Sequence, residues 1–360
     1  MKKEKTPLSA SRIKTLQNCS WVYFCNYVLR FPQTDNQGSL RGSCVHNVFE
    51  CLGNPRHKHL YDKAIKEGCF KVPAIKKMVM KFCTKKGIDD PANLALVENM
   101  IQAGLEYDFF GEDYGKVTKG TSEESFDITK EEDGKNYRVR GFIDKIFLYK
   151  KGTEALIRDF KSSKSVFEGK DITSNLQDFI YRIALKHLYP EVVKERMQFL
   201  FLRFDCTSSD GDGVLDMGEI SQEEMDGFED FLTEIQQIID NFDENQARKG
   251  FAYDKGFVEG FAGRTMCGRA DNPDEKKVDG TPKWKCPYKF AQVFYRLKDK
   301  EGNIISSSYN KDDLKETEDL KIEEFFYEGC PKFGWMPYNR DAARKYYMIE
   351  EEELDLDDVF

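Results

Sequence analysis

The chain has 360 residues, 40% hydrophobic and 33% charged, a balance that excludes collagenous, low-complexity and membrane-embedded classes. No apolar run approaches the roughly 20 residues needed to cross a bilayer. The basic start Met-Lys-Lys-Glu-Lys leads into Thr-Pro-Leu-Ser rather than an apolar stretch, so a cytosolic protein without a secretory signal is expected.

The formal net charge is −9, but seven acids and no base fall between Glu350 and Phe360. A near-neutral body can still carry a basic groove, so composition permits a nucleic-acid partner without indicating one. The acidic run reads as a solvated tail, and its Asp-Asp-Val-Phe ending resembles the tail tip of bacterial single-stranded DNA-binding proteins, which implies a contact with a protein partner or transient occupancy of this protein's own DNA groove.

In chain order, a helix is expected from Leu8 to Phe31, closed by Pro32, and a second from Gly38 to Leu52. Residues 55 to 118 are helical by period, with breaks near Pro73 and Pro91. Strand patterns follow at Ser125 to Thr129, Tyr137 to Tyr149 and Ala155 to Ser162. A helix returns at Asn175 to Leu188, an apolar strand at Met197 to Phe204, and a long amphipathic helix at Glu223 to Phe242. Beyond about 250 the chain, rich in Gly, Pro and Lys, yields no clear pattern. Ser208 to Glu219 nearly fits a calcium-binding EF-hand loop, but Ser replaces the first Asp and the preceding segment is strand-like, so a hairpin loop is expected.

The stretch carrying chemistry runs from Tyr137 to Lys161. Two strands joined by so short a link pair as an antiparallel hairpin. If Lys151 and Gly152 form a two-residue turn, Lys150 faces Thr153 and Asp144 faces Asp159, with the two acids on one side about 5 Å apart. Lys161 points to the same side as Asp159, and Phe160 to the other. Two hard carboxylates suit Mg²⁺ or Mn²⁺, and a lysine beside them suits phosphodiester hydrolysis. His46 lies on an expected helix and could complete a mixed oxygen and nitrogen set. Gln177 and Tyr181, four residues apart, share one helical face.

These pieces in this order resemble the RecB-like branch of the PD-(D/E)XK nuclease superfamily. Its Gly-x-x-x-His appears as Gly42 to His46, its Gly-x-x-Asp as Gly141 to Asp144, its Asp-x-Lys as Asp159 to Lys161, and its Gln-x-x-x-Tyr as Gln177 to Tyr181. The upstream acid has a counterpart in Glu123 or Glu124, with Glu124 preferred. The resemblance implies an α/β fold of the restriction-endonuclease type: a mixed central sheet flanked by helices, with a helical N-terminal part. The nuclease domain would span residues 1–300 with a helical insertion over 53–120, followed by an extension over 301–348 and the tail over 349–360.

The same resemblance implies that His46, Asp144, Asp159 and the Phe160 carbonyl hold the metal and that Lys161 is catalytic, with Gln177, Tyr181 and Glu124 supporting. It implies a deoxyribonuclease, an exonuclease on single-stranded DNA or duplex ends in phage or recombination-type DNA processing and repair. Alternatives are a silent DNA-binding or assembly protein on this fold, or an endonuclease subunit of a recombination or CRISPR-adaptation complex. No phosphate-binding Gly-rich motif is present, so no NTP motor is expected. Several relatives carry an iron–sulfur cluster on four cysteines. Cys19 and Cys286 match two of those positions, while Lys283 and Gln292 stand where two others belong. Cys267 and Cys330 would then complete the set, for iron–sulfur or zinc. Cys44, Cys51, Cys69 and Cys83 read as ordinary free thiols of apolar helices.

Overall fold

The computed structural model describes residues 4–33, 35–257, 266–278, 280, 283 and 286–348. The acidic tail therefore lies outside the described residues. By compactness the chain divides into one unit of Met1–Ala10 with Asp35–Asp240 and a second of Ser11–Thr34 with Asn241–Phe360.

The first unit is built on five strands: β1 (Lys119–Glu132), β2 (Lys135–Tyr149), β3 (Glu154–Lys161), β4 (Lys194–Phe201) and β5 (Val214–Met217), in that spatial order. β1–β2, β2–β3 and β4–β5 are antiparallel, and β3–β4 is parallel, so the sheet is mixed as expected. A parallel neighbour requires a crossover. The helix Leu176–Leu188 supplies it, with Asn175 accepting from the N–H groups of Gln177 and Asp178 as N-cap.

Two tight turns set the register. Asp133 and Gly134 both have positive φ (51° and 76°), and so do Lys150, Lys151 and Gly152 (45°, 60° and 97°), the left-handed conformation that lets tight turns follow the strand twist. Lys145 consequently pairs with Arg158 and Tyr149 with Glu154, the expected hairpin register. β2 is continuously buried from Ile143 to Tyr149, because helices cover one side and a buried polar network the other. Leu8, expected in a helix, instead forms a bridge beside Val139; its N–H donates to the Arg138 carbonyl at 2.7 Å. The helix begins only at Ala10.

The helix Gln37–Gly53 packs with Lys58–Glu67, Pro73–Lys86 and Pro91–Glu106 around a core that includes Phe160, Leu200 and Leu202. Pro73 and Pro91 occupy first-turn positions, where a missing N–H costs nothing, so the expected breaks are helix starts. The helix Gln222–Asp240 buries Met225, Phe228, Leu232, Ile235 and Ile239, a 3–4 spacing that makes one apolar stripe. The Ser208 to Glu219 stretch forms the loop and return strand of the β4–β5 hairpin.

The second unit holds an antiparallel sheet of β6 (Gln292–Lys298) between β7 (Ile304–Ser308) and β8 (Lys321–Tyr327). Its core is aromatic: Phe31 meets Phe294, Tyr288 and Tyr327 with ring centroids 4.3 to 4.9 Å apart. This is the region beyond residue 250 that gave no sequence pattern, joined by residues 11–34.

Candidate metal centre

Three carboxylates stand abreast across the first unit's sheet. The β1–β2 register pairs Ser122 with Lys145 and Glu124 with Ile143, which sets Glu123 opposite Asp144. The β2–β3 register ends at Lys145 and Arg158, one step from Asp144 and Asp159. Glu123 departs from strand geometry, with φ at 52°. Asp144 replaces the missing ladder bond: its Oδ2 accepts from the Phe160 N–H at 2.7 Å. Like charges directly opposite in a sheet repel, so this row needs positive charge between its members.

His46 supplies part of it. The Gln37–Gly53 helix places its ring with Nδ1 3.3 Å from Asp144 Oδ1 and 3.5 Å from Glu123 Oε1, and with Nε2 3.1 Å from the Phe160 carbonyl. Burial works against a charge on the ring, but the hydrogen bonds to Asp144 and Glu123 outweigh it and lift its pKa to about 10. With acceptors at both nitrogens, the ring is held as an imidazolium. Among the described residues, one atom each from His46, Glu123 and Asp144 forms a potential metal-ligand set, all within 4.8 Å of one another.

Asp159 is buried beside them. Burial raises its pKa to about 6, with Lys161 opposing and Asp144 reinforcing the shift. Lys161 Nζ pairs with Asp159 Oδ2 at 2.5 Å and also donates to Gln177 Oε1 at 2.6 Å. Oδ2 is buried and has that ammonium as its partner. Oδ1 accepts from Gln177 Nε2 at 2.7 Å and from the Tyr181 hydroxyl at 3.3 Å. A buried carboxylate that leans on one ammonium and stands beside two further acids offers hard oxygen donors that a divalent cation fits.

The motif glycines have steric causes. A Cβ on Gly141 would come within 2.8 Å of the Phe126 ring, its cross-strand partner, and one on Gly42 would come within 2.8 Å of Ser162 Oγ. Phe160 points away from the acids and packs against the tilted Phe49 ring with centroids 4.5 Å apart, which anchors its carbonyl beside His46.

His46, Asp144, Asp159, Lys161, Gln177, Tyr181 and the Phe160 carbonyl are thus brought together. The acid from β1 in the ligand set is Glu123 and not Glu124, whose pleat position pairs it with Ile143. Register would have found it: counting back from the Asp133–Gly134 turn sets Asp144 against Glu123.

The cysteines Cys19, Cys267, Cys286 and Cys330 lie in the second unit, all buried except the half-buried Cys286. Each of Cys267, Cys286 and Cys330 has its pKa raised, by burial first and then by neighbouring thiols, Cys19 among them. Cys286 reaches about 12. Cys25, not singled out from the sequence, joins the same apolar cluster and hydrogen-bonds Tyr327.

A mixed sheet with a His–Glu–Asp set beside an Asp–Lys pair has the architecture of a metal-dependent hydrolase. The sequence model of the PD-(D/E)XK nuclease superfamily matches residues 7–252. The chain belongs to that superfamily, whose members are metal-dependent nucleases. No curated protein matches it. No helix among the described residues is long and apolar enough to cross a membrane.

Proposed function

We propose that this chain is a deoxyribonuclease, an exonuclease on single-stranded DNA or duplex ends, with His46, Glu123, Asp144 and Asp159 as its metal ligands and Lys161 as its catalytic lysine. The observation that carries this reading is the row of three acids beside His46, with Lys161 Nζ 2.5 Å from Asp159 Oδ2 at its edge. A Mg²⁺ or Mn²⁺ ion in this donor set would supply Lewis-acid polarisation of a phosphate oxygen and a lowered pKa for a water.

The chain's own residues supply the remainder. Lys161 has its ammonium held at the mouth of the site by Gln177, where it can orient a water or donate to a non-bridging phosphate oxygen as negative charge builds. Asp159 and Glu123 accept protons from water at the same place. Tyr181 and Gln177 hold Asp159 in one rotamer, so little reorganisation is needed as the reaction proceeds. The Phe160 carbonyl turns a further oxygen toward His46.

The test compares wild type with Asp159→Ala and Lys161→Ala on end-labelled DNA in Mg²⁺, Mn²⁺ or EDTA. Cleavage should require the cation, and each substitution should cost at least about two orders of magnitude, the scale of a lost transition-state contact. Cleavage that persists in EDTA or survives both substitutions ends the reading. Covalently closed circular DNA separates the two modes: an exonuclease leaves it intact.

The four cysteines support a second inorganic group in the same protein, an iron–sulfur cluster on Cys19, Cys267, Cys286 and Cys330. Burial first and then neighbouring cysteines disfavour the thiolates of Cys267, Cys286 and Cys330, which a cationic centre would stabilise. Zinc fits less well. Bonds of about 2.3 Å to one ion would bring the sulfurs to roughly 4 Å of each other. No three cysteines among the described residues have their sulfurs within 4.8 Å of one another. Elemental analysis and visible absorbance of protein purified without oxygen test this; a colourless, iron-free, folded protein rules it out.

A further inference from the structure

A second charged feature of the first unit lies outside the metal centre. Arg41, Lys164 and Arg203 line an open pocket of about 400 Å³ together with Asn93 and Asp90. Arg41 donates to Asn93 Oδ1, a neutral partner. Lys164 and Arg203 have no hydrogen-bond or ion-pair partner among the described residues. The one carboxylate present, Asp90, is already occupied: it accepts from the backbone N–H groups of Ala92 and Asn93 and from the Asn93 side chain. Three cations thus face one engaged anion, in a chain whose overall charge is negative.

The positions of these residues tie the pocket to the catalytic strand. Lys164 follows Lys161 by three residues. Arg203 lies two residues beyond Phe201, the β4 partner of Lys161, and the intervening Leu202 N–H donates to the Lys161 carbonyl at 2.9 Å. Arg41 precedes Gly42, which packs on Ser162 in the same segment. Along the Gln37–Gly53 helix, Arg41 is five residues, or about 7.5 Å, from His46, and it is turned away from His46 around the axis. A group held there is not the one being hydrolysed.

We infer that Arg41, Lys164 and Arg203 form a phosphate-binding subsite that grips the cut strand next to the scissile bond. This rests on the nuclease reading above and adds a register element to it. Two guanidinium groups and an ammonium around an open cavity match a phosphate's oxygens, which accept from arginine bidentately. The phosphate could be an internal diester or the monoester at a strand end. If it is the monoester, the pocket would measure how far the end lies from the metal.

The test reads binding without cleavage, in EDTA, by fluorescence anisotropy on labelled single-stranded oligonucleotides over a range of salt. Arg203→Ala and Lys164→Ala should each weaken binding about five- to tenfold. Each should also reduce the salt-dependence slope by roughly 0.7 to 1, the value of one phosphate contact. Lys66→Ala, an exposed lysine outside the pocket, should change neither. Oligonucleotides with phosphate or hydroxyl at each end identify the source. Loss of end discrimination in the variants marks a terminal monoester, and equal weakening on both marks an internal diester. Variants with wild-type affinity and slope overturn the subsite, even if the protein cuts DNA. A wild type that binds as described but never cuts leaves the subsite standing and removes the nuclease reading.

Discussion

Gln177 Nε2 donates to Asp159 Oδ1 at 2.7 Å, so a helix residue decides how a strand carboxylate is presented. The same amide accepts from Lys161 through its oxygen and donates to Tyr181, so one side chain fixes three others. Gln177→Leu keeps the volume and removes these bonds. It should lower metal affinity or cleavage by about ten- to a hundredfold, the range for lost orienting partners. Manganese titration of cleavage would show it, and wild-type behaviour would mean that Lys161 and Asp159 are held by other contacts.

Asp159 should contribute a loss of stability to the metal-free protein as pH rises from about 4 to 6. Asp159 has a raised folded-state pKa near 6, against about 3.9 when unfolded. Its ionised form is therefore disfavoured in the native state. The cost is absent below the unfolded value, grows through the window between the two, and stays constant above it. Asp159→Asn should flatten this part of a Tm-against-pH curve. His46 has the same sign over a higher window: its contribution is complete below about 6.5 and is lost as pH rises toward 10. A cation bound near pH 7.5 must displace the His46 proton. Calorimetric binding enthalpies should vary with the buffer's ionisation enthalpy, and a buffer-independent enthalpy would contradict it.

Gly141→Ala should destabilise the first unit by about 1–3 kcal/mol, the usual cost of overpacking. The new methyl would meet the buried Phe126 ring, which in turn faces Tyr181. Combining it with Phe126→Leu should restore part of the loss, a coupling measurable by denaturant melts of the four proteins in the cycle. Strict additivity would mean that the ring is not the obstacle.

Arg158 and Lys145 are buried cross-strand neighbours on the sheet face behind the acids, yet they should respond oppositely to replacement. Arg158 bonds Gln198 at 2.8 Å, Asp108 Oδ2 at 3.1 Å and the Asp108 carbonyl. Arg158→Met strands that aspartate and should cost about 3–5 kcal/mol. Lys145 has one hydrogen bond, to the Phe109 carbonyl at 3.2 Å, and burial with Arg158 repulsion pushes its pKa well down. Lys145→Met should be neutral or stabilising, and a loss as large as that of Arg158→Met would show that its ammonium holds the network.

The centre was legible where it depended on local pairing. Asp144, Asp159 and Lys161 follow from one short turn and a two-residue period, and Gln177 and Tyr181 from one helical turn. Glu123 was equally readable through the Asp133–Gly134 turn, but choosing Glu124 ignored that register. His46 needed the resemblance, because nothing local brings residue 46 to residue 144. The Arg158 network, the Arg41 pocket and the Leu8 bridge depend on segments distant in sequence, where pattern carries no information. In the second unit the helix over residues 10–18 was legible, but the part beyond residue 250 was not, because its apolar positions are largely aromatic and follow no single period.

The turn at Lys151 and Gly152 has one more bearing, on how this gene can change. An added or deleted codon between Tyr149 and Glu154 would reverse which side of the sheet Asp159 and Lys161 occupy. The helices between residues 53 and 118 contribute no ligand and can vary in length. Drift among descendants of this chain should therefore leave the four-residue spacer untouched while the helical segment grows or shrinks.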